Sequence, residues 1–327
     1  MRAPFSGERP ARLAILDDYQ GVARRYADWD ALAPAVETTV FRDHLADEDA
    51  VQGRLFPYDL VLAMRERTPF PASLLRSLPR LRLLVTTGVR NRSIDLGAAS
   101  ERGITVCGTR MGGRGTAELT WGLILSLLRH LPLEDANVRA GGWQHTVGED
   151  LWGQRLGVLG LGTIGRQVAT VGRAFGMEVL AWSQHLTQEA AAAAGARWVT
   201  KETLLQEADV LTIHLVLSER TRKLLGAREL DLMRPTAYLV NTSRGPIVDE
   251  AALVGALRRG AIAGAALDVF DVEPLPADHP LRSLPNTVVT PHVGYVTEAS
   301  YRTFFADARE DVEAFLGGDP VRVLAPT

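Results

Sequence analysis

Lysine is almost missing from this sequence: Lys201 and Lys223 are the only two among 36 basic residues. That skew fits genome base composition, and no function is drawn from it. Cys107 is the single cysteine, which excludes a disulfide framework and any multi-cysteine metal site. No apolar run approaches the length needed to span a bilayer. Met1 to Pro10 carries charges but no apolar stretch, so no secretory signal is expected there and a reducing cytoplasm is the expected compartment. Nor is there a basic excess: 36 basic against 39 acidic residues give a formal net charge of -3, which argues against a nucleic-acid partner. Internal repeats and low-complexity tails are also absent.

What remains is a balanced globular composition, 46% hydrophobic and 23% charged, over 327 residues, which is the size of two domains. Strand and helix patterns alternate along the whole length, and that alternation predicts parallel sheets built from βαβ units. Strands are expected at Arg12 to Leu16, Asp59 to Ala63, Leu81 to Thr86 and Ile104 to Cys107. A helix over Thr116 to Leu131 follows, with Leu119, Leu123, Leu127 and Leu131 on one face. Pro132 to Trp152 is polar, contains glycine and separates two halves. Later strands are expected at Arg155 to Leu159, Glu178 to Trp182, Val210 to His214, Ala237 to Asn241, Gly264 to Asp268 and Thr287 to Thr290. A helix from about Glu298 to Leu316 closes the pattern.

The sharpest local signal is Gly160-Leu161-Gly162-Thr163-Ile164-Gly165. It follows an apolar strand and opens a helix with Ile164, Val168, Val171 and Phe175 on one face. A lone G-x-G-x-x-G is weak evidence; in a strand–turn–helix–strand setting it reads as a dinucleotide loop. Gly160 would permit the tight turn, Gly162 the approach of a pyrophosphate, and Gly165 close packing of helix on strand. Free amides at the helix start would face the phosphates. The carboxylate expected at the end of the second strand is missing, because the chain there reads Trp182-Ser183-Gln184-His185.

Three more segments follow strands: Asn241-Thr242-Ser243-Arg244-Gly245, Ala266 to Pro274, and Thr290-Pro291-His292-Val293-Gly294. With the glycine loop they resemble the D-isomer-specific 2-hydroxyacid dehydrogenases over nearly the whole chain. The resemblance implies two doubly wound α/β domains with a cleft between them, a Rossmann-type cofactor domain inserted into a flavodoxin-like substrate domain. Residues 1–107 plus 294–327 would form the substrate domain and 108–293 the NAD(P)-binding domain. Helices at about 114–131 and 298–316 would cross between them.

Chemistry and resemblance together assign the roles. Arg244 would grip the planar carboxylate of a 2-oxo acid and polarise its carbonyl. His292 would be the general acid/base at the oxygen on C2. Glu273, rather than its neighbour Asp271, would orient the imidazole and stabilise its protonated form. Asp268 would meet the nicotinamide carboxamide, with Thr242 and Ser243 lining the same region. The further cofactor candidates are Thr163 and Ile164 in the glycine loop, Ser183 at the end of the next strand, then Leu215, Thr221 and Gly294. His214 is expected near the nicotinamide; His44, His130, His145, His185 and His279 are expected in solvent. In the segment Thr86 to Asp95, Val89, Arg90 and Asn91 are the substrate-loop candidates, although Arg90 stands where relatives usually have glycine.

The implied activity is hydride transfer between NAD(H) or NADP(H) and C2 of a small D-2-hydroxy acid or 2-oxo acid. Glyoxylate or hydroxypyruvate reduction and 3-phosphoglycerate oxidation are alternatives. The end at Thr327 leaves no room for an added regulatory domain and demotes the phosphoglycerate reading. Glu273 speaks against a formate dehydrogenase, which pairs its histidine with glutamine. A corepressor-like protein that senses NAD without catalysis is the rival from another class. No metal and no membrane partner are expected. A homodimer is implied, with Trp121 to Trp152 as its interface.

Overall fold

The computed structural model describes residues 9–326, so the stretch read for a secretory leader lies almost wholly outside the described residues. The chain divides into two compact units, one of residues 1–113 with 297–327 and one of residues 114–296. The expected boundaries at 107/108 and 293/294 fall a few residues short of these.

The first unit has five parallel strands: β1 Ala11–Ile15, β2 Val36–Val40, β3 Leu60–Ala63, β4 Leu83–Thr86 and β5 Thr105–Gly108. Their order is β2-β1-β3-β4-β5, a flavodoxin-like arrangement. β3 and β4 are buried at every residue, as expected of central parallel strands covered on both faces. β2 escaped the sequence reading because Val-Glu-Thr-Thr-Val at an edge buries only its first residue. Asp47 and Asp95 cap the helices Glu48–Leu55 and Leu96–Glu101 by accepting from backbone amides. The helix Glu298–Leu316 belongs to this unit and buries Phe304, Phe305 and Val312.

The second unit has seven parallel strands: β6 Arg155–Leu159, β7 Glu178–Trp182, β8 Arg197–Trp198, β9 Val210–Ile213, β10 Tyr238–Asn241, β11 Gly264–Leu267 and β12 Thr287–Val289. The order β12-β11-β10-β9-β6-β7-β8 reverses direction between β6 and β9. Alternate residues feed two cores. Leu156, Val158, Val210 and Val240 enter one, while Leu159, Leu211, Ile213 and Leu239 enter the other. Such a sheet binds ligands at the carboxyl ends of its strands, beside the reversal.

One helical boundary and one additional helix differ from expectation. The helix expected to Leu131 spans Gly115–Leu128 and ends before His130, whose φ is 50°. A second helix, Leu131–Arg139, then occupies part of the segment read as irregular. It buries none of its residues, so it carries no core-facing stripe for a periodicity argument to detect.

Candidate active site

The glycine loop joins β6 to the helix Thr163–Ala174. Its three glycines are there for different reasons. Gly160 has φ 108°, and a Cβ on it would lie 2.8 Å from the His214 carbonyl carbon. A Cβ on Gly165 would lie 2.0 Å from the Gly160 oxygen, so helix and loop can approach only without one. A Cβ on Gly162 would meet nothing within 4 Å. The protein itself does not crowd that position, and the space suits a pyrophosphate over the helix N-terminus. Thr163 and Ile164 are exposed at the same place.

Ser183 stands just beyond β7 and accepts a 3.2 Å hydrogen bond from the Leu161 amide, leaving its own O–H to donate. Arg166, which the sequence reading passed over, donates its Nε to the Leu161 carbonyl at 3.2 Å. Gln184 and His185 are exposed. After β9, His214 shares a 3.0 Å hydrogen bond with Thr212 Oγ1, and burial pushes its pKa down to about 4. It is therefore a neutral imidazole across the working range of an enzyme. Leu215 gives its carbonyl to the Ser243 hydroxyl, and the Thr221 hydroxyl closes the turn from Val216 by donating to that residue's carbonyl at 2.8 Å.

The triad candidates lie beyond three neighbouring strands. Arg244 follows β10 in a turn fixed by Asn241, whose Nδ2 donates to the Arg244 carbonyl at 3.0 Å and whose Oδ1 accepts from the Ser243 amide at 3.0 Å. Gly245 is obligatory, because a Cβ would lie 2.1 Å from the Phe270 carbonyl carbon. The Arg244 Nη1 donates to the Ser243 carbonyl at 2.7 Å. Thr242 is buried, its hydroxyl 2.9 Å from that of Thr120.

Glu273 follows β11, and His292 follows β12. The Glu273 Oε2 lies 2.6 Å from His292 Nδ1, and its Oε1 accepts from the Phe270 amide at 2.9 Å. Nδ1 is thus the ring nitrogen that faces Glu273, and Nε2 is the one left away from it. Asp271 takes a different role: its amide donates to Glu250 at 3.2 Å. The His292 ring also meets Tyr295 edge-on, with centroids 5.6 Å apart.

Asp268 is bound into the backbone around His292. It has no solvent exposure, and its carboxylate accepts from Thr290 Oγ1 at 2.6 Å, the Val293 amide at 2.8 Å and the Gly294 amide at 2.8 Å. Burial raises its pKa against the pull of those bonds. Its oxygens thus hold the segment bearing His292. His292 has φ 54°, and the bonds on both sides hold it there. Gly294 is buried, its carbonyl accepting from Thr116 Oγ1 at 3.1 Å.

In the first unit, Val89 and Arg90 are exposed beyond β4. Asn91 is buried, and its amide is consumed locally. Nδ2 donates to the Arg65 carbonyl at 2.7 Å and to Thr86 Oγ1 at 2.9 Å, while Oδ1 accepts from the Ser93 amide at 2.8 Å. Its side chain shapes the loop instead of reaching outward. Arg65, also passed over, lays its Nη1 on the Thr87 carbonyl at 3.2 Å. Two histidines expected in solvent are engaged. His44 Nδ1 lies 2.9 Å from Asp17 Oδ1, and His279 Nε2 lies 3.0 Å from Glu250 Oε1. Both partners are distant in sequence, which is why residue setting alone misplaced the two rings.

Known proteins resemble this chain in sequence and in fold. Residues 121–294 match the model of the D-isomer specific 2-hydroxyacid dehydrogenase, NAD binding domain. The chain belongs to the D-isomer-specific 2-hydroxyacid dehydrogenase family. It is 43% identical over 255 residues to a glyoxylate reductase of Aeropyrum pernix, covering 75% of this chain and 76% of that one. It is 36% identical over 298 residues to a D-3-phosphoglycerate dehydrogenase of Bacillus subtilis. That match covers 89% of this chain but 56% of the other, so the chain spans little more than half of that relative. A phosphoglycerate oxidoreductase from Vibrio cholerae O395 superposes with a TM-score of 0.89 at 38% identity, covering 94% and 99% of the two chains. The chain is therefore a 2-hydroxyacid oxidoreductase of the nicotinamide-dependent kind, with NAD(H) as the family's cofactor. Among the described residues no helix is long and apolar enough to cross a membrane.

The bonds at Asp268 generate a prediction. Asp268→Asn replaces one acceptor oxygen with a donor that must face another donor. Turnover should fall by roughly 10²-fold, as expected when a reacting group is misplaced by about 1 Å, with ~1–3 kcal/mol lost in urea unfolding. Steady-state kinetics alongside cofactor titration check it: wild-type kcat would show that other contacts hold the His292 segment.

Proposed function

We propose that this protein reduces a small 2-oxo acid to the D-2-hydroxy acid, with glyoxylate as the first candidate, and runs the reverse reaction when product dominates. The observation that carries this is the His292–Glu273 pair, 2.6 Å apart, beyond β12 and β11, the two strands that follow β10 and its Arg244 in the sheet. The similarity to glyoxylate reductases favours a short substrate. A bound nicotinamide would supply or accept the hydride at C2. This chain's residues would do the rest. Arg244 would bind the planar carboxylate through its fork of N–H donors. His292 would deliver a proton from Nε2 to the oxygen on C2 during reduction and take it back during oxidation. Glu273 would keep the imidazole in the required tautomer and stabilise the imidazolium. Val89 and Arg90 are assigned to the substrate on their exposure beyond β4.

The test is NADH and NADPH oxidation against glyoxylate, hydroxypyruvate, pyruvate, phenylpyruvate and branched 2-oxo acids. Saturable cofactor binding without turnover of any of them would favour the sensor reading instead. Within the triad, His292→Ala should cut the chemical step by ~10²–10⁴-fold while cofactor binding survives. Arg244→Lys should raise the apparent KM and lower kcat together, because a point charge lacks the fork. Near-normal kcat/KM in either folded variant would remove that residue from its role.

Cofactor choice follows from Ser183. A carboxylate here would bind the ribose hydroxyls of NAD and repel the extra phosphate of NADP; serine can donate to that phosphate and repels nothing. Both cofactors should therefore be usable. Ser183→Asp should shift the kcat/KM ratio toward NADH, chiefly by penalising NADPH, when both proteins are compared at one ionic strength. A ratio that does not move would assign ribose recognition to other residues.

A homodimer in the cytoplasm is the remaining part of the proposal. The helix Leu131–Arg139 and the segment after it expose Leu131, Leu133, Val138, Trp143, Val147 and Trp152, with Val147 at 91% and Trp152 at 82%. Glu134 ties that segment down through the Thr146 hydroxyl and the His145 amide, so the apolar groups are held out in a fixed shape. A patch of this kind suits a second copy of the chain. Sedimentation should give a dimer for the wild type and a monomer for the Trp143→Asp/Val147→Asp variant. A monomeric wild type at micromolar concentration would remove the proposal.

A further inference from the structure

The end of β7 lacks a fixed cation in the sequence order, since Ser183 is followed by Gln184 and His185. The fold brings one there from another element. Leu161, the residue between the first two glycines, is held from both sides of its backbone. Its amide donates to Ser183 Oγ at 3.2 Å, and its carbonyl accepts from Arg166 Nε at 3.2 Å. Ser183 and the Arg166 guanidinium are thereby fixed on one residue, at the strand end where a dinucleotide's adenine-side ribose is read.

Arg166 lies in the first turn of the helix Thr163–Ala174, and helical side chains lean back toward the N-terminus, which is how its guanidinium reaches Leu161. It is exposed, and among the described residues no carboxylate pairs with it. Arg173, the other arginine of this helix, has its guanidinium against Gly195, where a Cβ would come within 2.0 Å of Nη1. A guanidinium anchored through Nε keeps both terminal nitrogens for a second partner, and two parallel N–H donors match phosphate oxygens.

We propose that Arg166 is the cation that receives the 2′-phosphate of NADP(H), with the Ser183 hydroxyl as a second donor, so that the enzyme binds NADPH at least as well as NADH. This rests on the reading of the glycine loop as a nicotinamide-dinucleotide site. It assigns the cation of phosphate recognition to the helix rather than to Gln184 or His185 after β7.

The experiment is calorimetric titration of the full chain with NADPH and NADH. Adenosine 2′,5′-bisphosphate and adenosine 5′-monophosphate serve as probes of the phosphate alone. Wild type, Arg166→Gln and Arg166→Lys are compared. Arg166→Gln should lose about tenfold or more in affinity for NADPH and for the bisphosphate, and much less for NADH and the monophosphate. Arg166→Lys should recover part of the loss. The wild-type preference should shrink as salt is raised, and shrink less in Arg166→Gln. Equal losses for both cofactors would mean that Arg166 serves the adenine or the loop itself, and would overturn the inference. So would a wild type that binds NADH but not NADPH, although the dinucleotide reading would then stand. A folded wild type that binds neither cofactor would remove both.

Discussion

Asp268 has no solvent exposure, yet its carboxylate lies under the segment that carries the proposed acid/base. A buried carboxylate must find donors, and here they are Thr290, Val293 and Gly294, on either side of His292. The intervening histidine is thereby held at φ 54°, in a region that costs an L-residue roughly 1–2 kcal/mol. Hydrogen bonds to a charged acceptor are each worth about 1.5–3 kcal/mol, so three of them can hold that backbone. Once the backbone is held, Glu273 needs only to fix the ring's rotation and tautomer. The His292–Glu273 pair is thus the outer part of a construction of two carboxyls and one imidazole whose inner member, Asp268, has no solvent exposure.

The same logic divides the second sheet by function. β10, β11 and β12 are neighbours, and their carboxyl ends lead to Arg244, Glu273 and His292 in turn. β6, β7 and β9 are also neighbours, and their ends lead to the glycine loop, Ser183 and His214. One flank of the sheet holds the residues proposed for acid–base and carboxylate chemistry; the other holds those proposed for phosphate and ribose recognition. The strands are short and apolar, so they fix positions, while the chemistry sits in the turns. The neutral imidazole of His214 fits this division. With a pKa near 4 it adds no charge beside the loop where phosphates would lie.

Much of this was legible in the sequence, for identifiable reasons. The buried parallel strands are continuous apolar runs, and the glycine loop has a strand before it and an amphipathic helix after it. Those signals are local. The failures are non-local or unpatterned. β2 is a polar edge strand, and the helix Leu131–Arg139 buries nothing. His44 and His279 meet carboxylates from remote segments. Asp268 is recognisable as a strand-end acid, but its partners lie more than twenty residues further on, so its internal role needed the structure. Arg166 had a usable local signal, since a residue in a first helical turn leans back over the preceding loop.

Gly162 closes the argument about what the loop is for. Gly160 and Gly165 are required by the chain itself: one has positive φ, and both would collide with backbone if they carried a Cβ. Gly162 has φ −81° and an open surrounding, so neither strain nor crowding explains it. It is the N-cap of the helix Thr163–Ala174, a position where serine, threonine, aspartate or asparagine would ordinarily bond to the first-turn amides. Any of those side chains would stabilise the helix by about 1 kcal/mol relative to a residue without a capping group. Each would also occupy the amides and the space in front of them, and aspartate would add a negative charge. Glycine leaves the helix without a side-chain cap and its amides directed outward. A helix start left in that condition is stabilised by an external anion, which is what a dinucleotide's pyrophosphate would provide.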